Sequence, residues 1–167
     1  ETASYIADHG KGALYLHHVE PLLQRLNARS IRPIPWHDMM REWDGDALAR
    51  LRDQADLCVW GYQGHPDEVD RHYSPKVTQR FADHGLTPWG GTAYKGADGH
   101  DSDLPVPANR ELNGLAWAEV AQRFQMQGVF TTAWSRYSTH DVQCEPIDAA
   151  LDCLLLHAVI LHDGQSP

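Results

Sequence analysis

The sequence has 167 residues, of which 42% are hydrophobic, and its 14 Lys and Arg against 23 Asp and Glu give a net charge of -9. This length and composition are typical of one domain with a sizeable core. The acidic balance argues against nucleic acid as a partner, because phosphates would be repelled over most of the surface. The longest apolar stretch, residues 153–161, is interrupted by His157 and falls well short of the roughly 20 residues that a membrane-spanning helix needs.

The termini and the cysteines give two further expectations. Cys58, Cys144 and Cys153 show no CxxC spacing, and we interpret them as reduced thiols. The sequence starts at Glu1 without a Met or an apolar leader, which predicts that it is part of a longer chain. No localisation signal can be assigned from such a start, and a cytoplasmic location is the default expectation.

The first half of the chain predicts two helices and two strands. Apolar residues recur at helical spacing up to about residue 29, with Pro21 expected to kink or restart that helix. Residues 31–36 alternate and contain two prolines, which is typical of a short strand with missing N–H donors. Asp44 is a predicted cap for a helix through Leu51, and residues 56–60 form an apolar run typical of a strand buried on both faces.

The second half continues the alternation. Pro75 opens a predicted helix that ends before Gly85, and residues 87–94 follow as a strand. Pro107 opens a long helix to about residue 127, and residues 129–134 form the fourth strand. A last helix starts at Pro146 and ends at Gly164. Its predicted core-facing stripe comprises Ile147, Leu151, Leu154, Leu155, Ala158 and Leu161.

Strand–helix units at intervals of about 30 residues predict an α/β fold with parallel (β/α) repeats. Two architectures fit this order, an open doubly wound sheet and part of a closed barrel. No GxGxxG follows a predicted strand, as a dinucleotide site of the first architecture would require. Residues 90–96 look superficially like a phosphate loop, but they lack the Gly-Lys-Ser/Thr order and continue a strand.

Aromatic and polar residues end each predicted strand. The four segments are residues 36–38, 60–62, 94–95 and 134–136. Because the carboxyl ends of parallel strands form the active face of such folds, these side chains are expected to share one pocket. Trp and Tyr walls suit a sugar, whose C–H faces stack on rings. The alternative for any single Trp is a core side chain with its N–H satisfied.

Five segments resemble, in the expected order, the late-barrel motifs of hexosaminidase D-like β-N-acetylhexosaminidases of glycoside hydrolase family 20. They are residues 35–39 (PWHDM), 59–62 (VWGY), 92–97 (TAYKGA), 113–117 (NGLAW) and 132–137 (TAWSRY). The resemblance covers nearly the whole chain. It implies the C-terminal half of a (β/α)8 TIM barrel, from helix 4 through helix 8, as a single partial catalytic domain.

The resemblance also implies the chemistry. Family 20 enzymes use the substrate's own 2-acetamido oxygen as nucleophile while a Glu protonates the leaving oxygen. Glu1 is similar to that Glu, and Tyr62 would donate to the acetamide oxygen. The remaining implied pocket residues are Trp36, Trp60 and Trp134 around the acetamide and ring, Asp38 and Glu145 as hydroxyl acceptors, Lys95 and Arg136 as donors or ion-pair partners, and Tyr94.

This mechanism needs no cofactor and no metal, and the implied ligand is an N-acetylhexosamine-containing glycan or glycoside. Two other classes remain open from the residues. One is a carbohydrate-binding or partner-binding βα module without catalysis. The other is a metal-dependent barrel hydrolase or isomerase that uses His37, Asp38 and His65. The exposed flank of a half-barrel is expected to be apolar, which favours a homodimer or a partner half-barrel.

Overall fold

The computed structural model describes residues 2–64, 75–95, 104–133 and 145–165, with the backbone alone for residues 145 and 146. Six helices and three strands lie within these ranges. The helices are α1 (Thr2–Asn27), α2 (Gly45–Arg52), α3 (Pro75–Asp83), α4 (Pro107–Arg123), α5 (Glu145–Asp148) and α6 (Leu151–Asp163). The strands are β1 (Leu57–Trp60), β2 (Pro88–Ala93) and β3 (Val129–Thr132), and a 3-10 turn covers Asp38–Met40. Across the described ranges, none of the helices has the length and apolar character needed to cross a membrane.

The three strands form one parallel sheet in chain order, β1-β2-β3. The predicted α/β class with parallel strands is therefore confirmed. Trp60 of β1 pairs with Gly91 of β2, and Gly91 pairs with Phe130 of β3. Parallel strands joined by helical connections place their carboxyl ends at one edge of the sheet, which is where ligands bind in such folds.

The predicted strand at residues 31–36 extends the sheet by one parallel bridge, between Trp36 and Cys58. The backbone N–H of Asp56 donates to the Pro33 carbonyl at 3.0 Å, and that of Cys58 to the Pro35 carbonyl at 2.9 Å. Pro35 has no N–H to donate back to β1, so the ladder is incomplete before Trp36. Two prolines thus reduce an expected fourth strand to a single bridge.

The N-terminal helix bends at Gly10 (φ 82, ψ 163), whereas Pro21, where we expected the kink, lies within the helix. Gly12 lies against α2, because a Cβ there would stand 2.6 Å from the Ala47 Cβ. The predicted cap of α2 is confirmed, since the Asp44 Oδ1 accepts a hydrogen bond from the Ala47 N–H at 2.8 Å.

The two faces of the sheet differ in what covers them. Alternation along the strands places Leu57, Val59, Gly90 and Thr92 on one side, which we call the covered face. The main core lies here, and its buried members are Leu16, Leu23, Met40, Trp43, Ala47, Leu48, Leu51, Ala55, Leu57, Val59, Phe81, Leu86, Trp117 and Val120. The opposite side, the aromatic face, carries Trp36, Cys58, Trp60, Trp89, Gly91 and Phe130.

The buried stripe of the C-terminal helix overlaps only in part with the one the sequence predicts, since Leu154 and Leu161 are half-buried and Leu161 packs against the main core. Cys153, His157 and Ile160 are buried, whereas Leu151 is 48% exposed and Leu155 is 66% exposed. The buried stripe faces α4, because His157 and Ile160 both contact Gly114. His157 belongs to this stripe as a hydrogen-bonded polar residue, so a pattern of apolar residues alone selected the neighbouring side of the helix. The predicted end at Gly164 (φ 74) is confirmed.

Candidate functional site

Trp60 is fixed from two sides at the carboxyl end of β1. Its indole Nε1 donates to the Asp38 Oδ1 at 3.0 Å. Its ring stacks on Tyr62, with ring centroids 4.8 Å apart and an interplanar angle of 19°. A hydrogen bond in the ring plane and a stacking contact on one ring surface leave the indole little freedom to rotate.

Trp36 lies beside Trp60 on the aromatic face. A Cβ on Gly91 would stand 3.0 Å from the Trp36 Cζ3, 3.0 Å from the Trp60 Cβ and 3.2 Å from the Cys58 Sγ. The Trp36 indole therefore extends over β1 as far as β2, and the glycine at position 91 makes room for it. With 37% of its surface exposed, Trp36 remains accessible to a ligand.

The carboxylate of Asp38 is the acidic group of this cluster. Asp38 begins the 3-10 turn and is exposed, and one of its oxygens already accepts from Trp60. Tyr15 of α1 lies nearby: burial raises the pKa of its phenol, and the negative charge of Asp38 raises that pKa further. Sequence analysis missed Tyr15, because it lies within an ordinary helical pattern with no motif to mark it.

The cluster of Trp36, Asp38, Trp60 and Tyr62, which we call the aromatic cluster, combines flat apolar surfaces with a carboxylate. Such a surface can stack against the C–H face of a pyranose ring while a carboxylate oxygen accepts from a hydroxyl. Cys58 beneath it does not supply a nucleophile, since burial raises the pKa of its thiol to about 12. The arrangement therefore suits binding and orientation of a sugar.

The loop that carries Tyr62 is held by α4. Trp117 donates its Nε1–H to the Gly61 carbonyl at 2.7 Å, and the Arg110 Nη1 donates to the Tyr62 carbonyl at 2.7 Å. Trp117 lies in residues 113–117, one of the five segments that resemble family motifs, whereas Arg110 lies in none of these segments. The sequence signal for Arg110 is a charged residue near the start of α4, on the stripe that also carries Asn113 and Trp117.

His37 is buried beside Trp60 and is not accessible at the surface of the aromatic cluster. Its ring is fully buried, with centroid distances of 6.0 Å to both Trp60 and Phe81, and its Nδ1 accepts from the Trp60 backbone N–H at 3.4 Å. The metal-ligand role that we considered for His37 also needs His65, which lies outside the described residues. Within residues 2–64, 75–95, 104–133 and 145–165, no group of three His, Cys, Asp or Glu side chains is arranged to hold a metal ion.

Only some of the other predicted pocket residues lie in the described part of the chain. Tyr94 and Lys95 directly follow β2, with Tyr94 half-buried and Lys95 7% exposed. Glu145 lies in α5, but its side chain is outside the described part of the chain. Glu1, Trp134 and Arg136 lie outside the described residues altogether.

Two cavities of the described residues lie away from the aromatic cluster. One of about 510 Å³ is bounded by α3 and the end of α4, and one of about 620 Å³ by the ends of α4 and α6 with the start of β3. Neither is lined by a residue of the aromatic cluster. We place the candidate site at the aromatic cluster, because chemistry in parallel βα folds belongs at the carboxyl ends of the strands.

Comparison with known proteins gives related sequences but no matching family model. Hexosaminidase D of Homo sapiens is 28% identical over 151 residues, which cover 86% of this chain and 30% of that protein. Hexosaminidase D of Bos taurus is 27% identical over 152 residues, which cover 86% of this chain and 43% of that protein. The chain thus spans less than half the length of these curated relatives. The similarity supports a hexosaminidase-like relationship for this chain.

Proposed function

We propose that this chain forms one wall of the sugar pocket of a β-N-acetylhexosaminidase related to the hexosaminidase D branch of glycoside hydrolase family 20. The observation that carries the proposal is the fixed Trp60 indole, bonded to Asp38 at 3.0 Å and stacked on Tyr62 at 4.8 Å. Trp60 lies at the carboxyl end of its strand, and parallel βα enzymes bind their substrates at this edge of the sheet. The names of the two relatives point to the same class of substrate.

The proposed reaction is substrate-assisted hydrolysis. The acetamido oxygen of the sugar attacks the anomeric carbon while an acid protonates the leaving oxygen, so the protein supplies no nucleophile. Tyr62 donates to the acetamide oxygen, and the indoles of Trp36 and Trp60 exclude water from the acetamide. The free oxygen of the Asp38 carboxylate accepts from a sugar hydroxyl.

The remaining assignments rest on the family resemblance. Glu1 is proposed as the acid and Trp134 as a third aromatic wall. Lys95 and Arg136 are proposed to orient carboxylates or hydroxyls. Tyr94 and Glu145 complete the proposed pocket.

We propose that the described strands are consecutive strands of a (β/α)8 barrel. Two features support this: the strands are parallel and ordered as in the chain, and helices pack on one face while aromatic residues line the other. In such a barrel the aromatic face is the interior wall. A complete barrel typically takes about 250 residues, so the pocket has further walls beyond these strands.

The first experiment is titration of the 167-residue protein with N-acetylgalactosamine or N-acetylglucosamine, followed by NMR, with galactose and glucose as controls. We expect the acetamido sugars alone to shift signals of the aromatic cluster. Trp60→Ala should abolish these shifts. The matched control is Trp89→Ala, since Trp89 lies on the same face but bonds to Asp56 and stacks on Phe130.

Absence of binding by the unchanged protein, or equal loss in both variants, would contradict the site. Hydrolysis of a nitrophenyl N-acetylhexosaminide is the second measurement. We expect none from the 167 residues alone, because part of the pocket is supplied elsewhere. Turnover by this chain that is abolished by Tyr62→Phe would show that these residues suffice for catalysis, whereas binding without turnover in any longer form would favour a carbohydrate-binding module.

A further inference from the structure

Three side chains of α4 bond to three backbone carbonyls of the loop that follows β1. Trp117 Nε1 donates to the Gly61 carbonyl at 2.7 Å, Arg110 Nη1 to the Tyr62 carbonyl at 2.7 Å, and Asn113 Nδ2 to the Gly64 carbonyl at 3.2 Å. The three donors are spaced i, i+3 and i+7, so they form one stripe on α4. We call Arg110, Asn113 and Trp117 the α4 clamp.

The α4 clamp is buried and also bonds to β2. Arg110 is 4% exposed, and Asn113 and Trp117 are 0% exposed. Arg110 Nη1 donates to the Ala93 carbonyl at 2.9 Å, and the Asn113 Oδ1 accepts from the Thr92 hydroxyl at 2.5 Å. A buried carbonyl that loses its hydrogen-bond donor cannot bond to water instead, so the folded state loses free energy. These bonds therefore hold the loop in its position.

His157 of α6 anchors the clamp from behind. Its Nε2 lies 2.7 Å from the Arg110 carbonyl, and its Nδ1 lies 2.8 Å from the Thr131 hydroxyl. A carbonyl can only accept, so Nε2 carries the proton and Nδ1 accepts from Thr131 when the ring is neutral. Burial, followed by the charge of Arg110, lowers the pKa of His157 despite the opposing effect of its backbone hydrogen bond. The imidazole therefore remains a neutral bridge between α4 and β3.

We propose that Arg110 is a positioning residue for Tyr62, acting through the Tyr62 carbonyl with Asn113 and Trp117 on either side. The guanidinium joins the carboxyl ends of β1 and β2 and fixes the backbone from which the Tyr62 ring extends toward Trp60. A contribution of this positioning to catalysis rests on the proposed function, in which Tyr62 contacts the acetamide. The structural part, that Arg110 sets the position of the Tyr62 ring, is independent of any substrate.

The test compares Arg110→Met and Arg110→Lys in the full 167-residue chain. The readout is the ring signal of Tyr62 in protein labelled with ¹³C-tyrosine, assigned by its loss in Tyr62→Phe. Stacking on Trp60 shifts this signal, so we expect Arg110→Met to move it toward the position of free tyrosine. Both bonds come from the single Nη1 nitrogen, and Arg110→Lys keeps the charge and offers N–H donors on a shorter side chain, so its signal should lie in between.

A matched control separates positioning from general loss of stability. Leu16→Ala removes a fully buried side chain of α1 that belongs to the main core with Trp117 but not with Arg110, and it should lower Tm while leaving the Tyr62 signal in place. An unchanged Tyr62 signal in Arg110→Met, or an equal shift in Leu16→Ala, would overturn the proposal. If Arg110→Met does not fold, Arg110→Lys and Trp117→Phe carry the same test.

Titration with N-acetylglucosamine or N-acetylgalactosamine then distinguishes this proposal from the proposed function. If the unchanged protein binds, Arg110→Lys should weaken affinity about tenfold, the effect of losing one good hydrogen bond to a charged donor. Unaltered affinity alongside a displaced Tyr62 ring would contradict the role of Tyr62 in binding and leave the positioning by Arg110 intact. No binding by the unchanged protein would count against the proposed function alone, because the NMR comparison needs no sugar.

Discussion

The covered face and the aromatic face of the same sheet are built from adjacent residues, but they differ in how far their tryptophans are exposed. Gly90 and Gly91 are neighbours in β2, yet Gly90 lies under the fully buried Trp117 while Gly91 lies under Trp36, which is 37% exposed. On the covered face a tryptophan fills the space between helix and sheet. On the aromatic face tryptophans stand accessible at the strand ends. The same residue type thus contributes stability on one side and, in the function we propose, a binding surface on the other.

The sharpest test of this difference exchanges one tryptophan on each face for alanine. Trp117→Ala should lower the free energy of unfolding by about 3–5 kcal/mol, because it leaves a buried cavity and removes the bond to the Gly61 carbonyl. Trp36→Ala should cost less, about 1–2 kcal/mol, because 37% of this side chain is already exposed and no enclosed cavity is left behind. Urea unfolding measures both, and equal losses would contradict the division between the two faces.

The two glycines give a smaller and more local version of the same comparison. A Cβ at Gly90 would stand 2.8 Å from the Trp117 Cε3 and 3.1 Å from the Val129 Cγ2, in a place where neither ring nor strand can move freely. Gly90→Ala should therefore cost about 1–3 kcal/mol. Gly91→Ala should cost less, because its nearest contacts are at 3.0 Å rather than 2.8 Å and the Trp36 indole can rotate away, although the Trp60 Cβ at 3.0 Å cannot. It should also weaken the proposed sugar binding. A larger stability loss for Gly91→Ala than for Gly90→Ala would contradict this prediction.

The smallest expected effect is a change in the free energy of unfolding with pH, and it concerns only the covered face. The pKa of His157 is lowered from its ordinary 6.5, so below that pH the unfolded chain binds a proton at this ring more readily than the folded chain does. Stability contributed by the neutral ring is full above the ordinary pKa and falls as the pH drops through it toward the lowered folded value. The slope from this group is at most about 1.4 kcal/mol per pH unit.

His157→Gln offers the control, because its amide can donate to the Arg110 carbonyl without titrating. Urea unfolding of both proteins from about pH 7.5 to about pH 5.5 should show a shallower loss of stability in the variant. Identical slopes for the unchanged protein and His157→Gln would contradict the buried neutral state of His157.

Local rules account for much of the fold. Asp44 begins α2 as a capping residue should, Pro107 begins α4, and the apolar run around Val59 is a buried parallel strand. These features depend on neighbouring residues in the chain, so the sequence displays them directly. The accessible Trp36 beside Trp60 was likewise predicted, since the carboxyl ends of parallel strands converge.

What the sequence did not disclose depends on distant contacts. The α4 clamp joins Arg110 to Tyr62, and its partners are backbone carbonyls, which leave no signature in side-chain patterns. The buried stripe of α6 includes His157 because Thr131 and the Arg110 carbonyl satisfy its two nitrogens, and neither partner can be inferred from α6 alone. The packing of α1 brings Tyr15 close enough for the charge of Asp38 to raise its pKa, and no motif records this proximity.

The prolines before Trp36 affect the local opening of the sheet. Along β1 the amides alternate in direction: those of Asp56 and Cys58 donate to the Pro33 and Pro35 carbonyls, whereas those of Leu57 and Gly61 donate to the Thr87 and Gly91 carbonyls in or beside β2. The backbone of the proline segment pairs with β1 at one bridge, to which the Arg32 guanidinium adds bonds to residues 52–56, whereas β2 pairs with β1 at four positions. We therefore expect the proline segment to detach from β1 before β2 does. Hydrogen exchange should therefore alternate along a single strand, with the amides of Asp56 and Cys58 exchanging before those of Leu57 and Gly61. The same opening should expose the Cys58 thiol. The rate at which a reagent alkylates Cys58 should then match the rate of its amide exchange, and both rates report how often the segment with Trp36 detaches from β1.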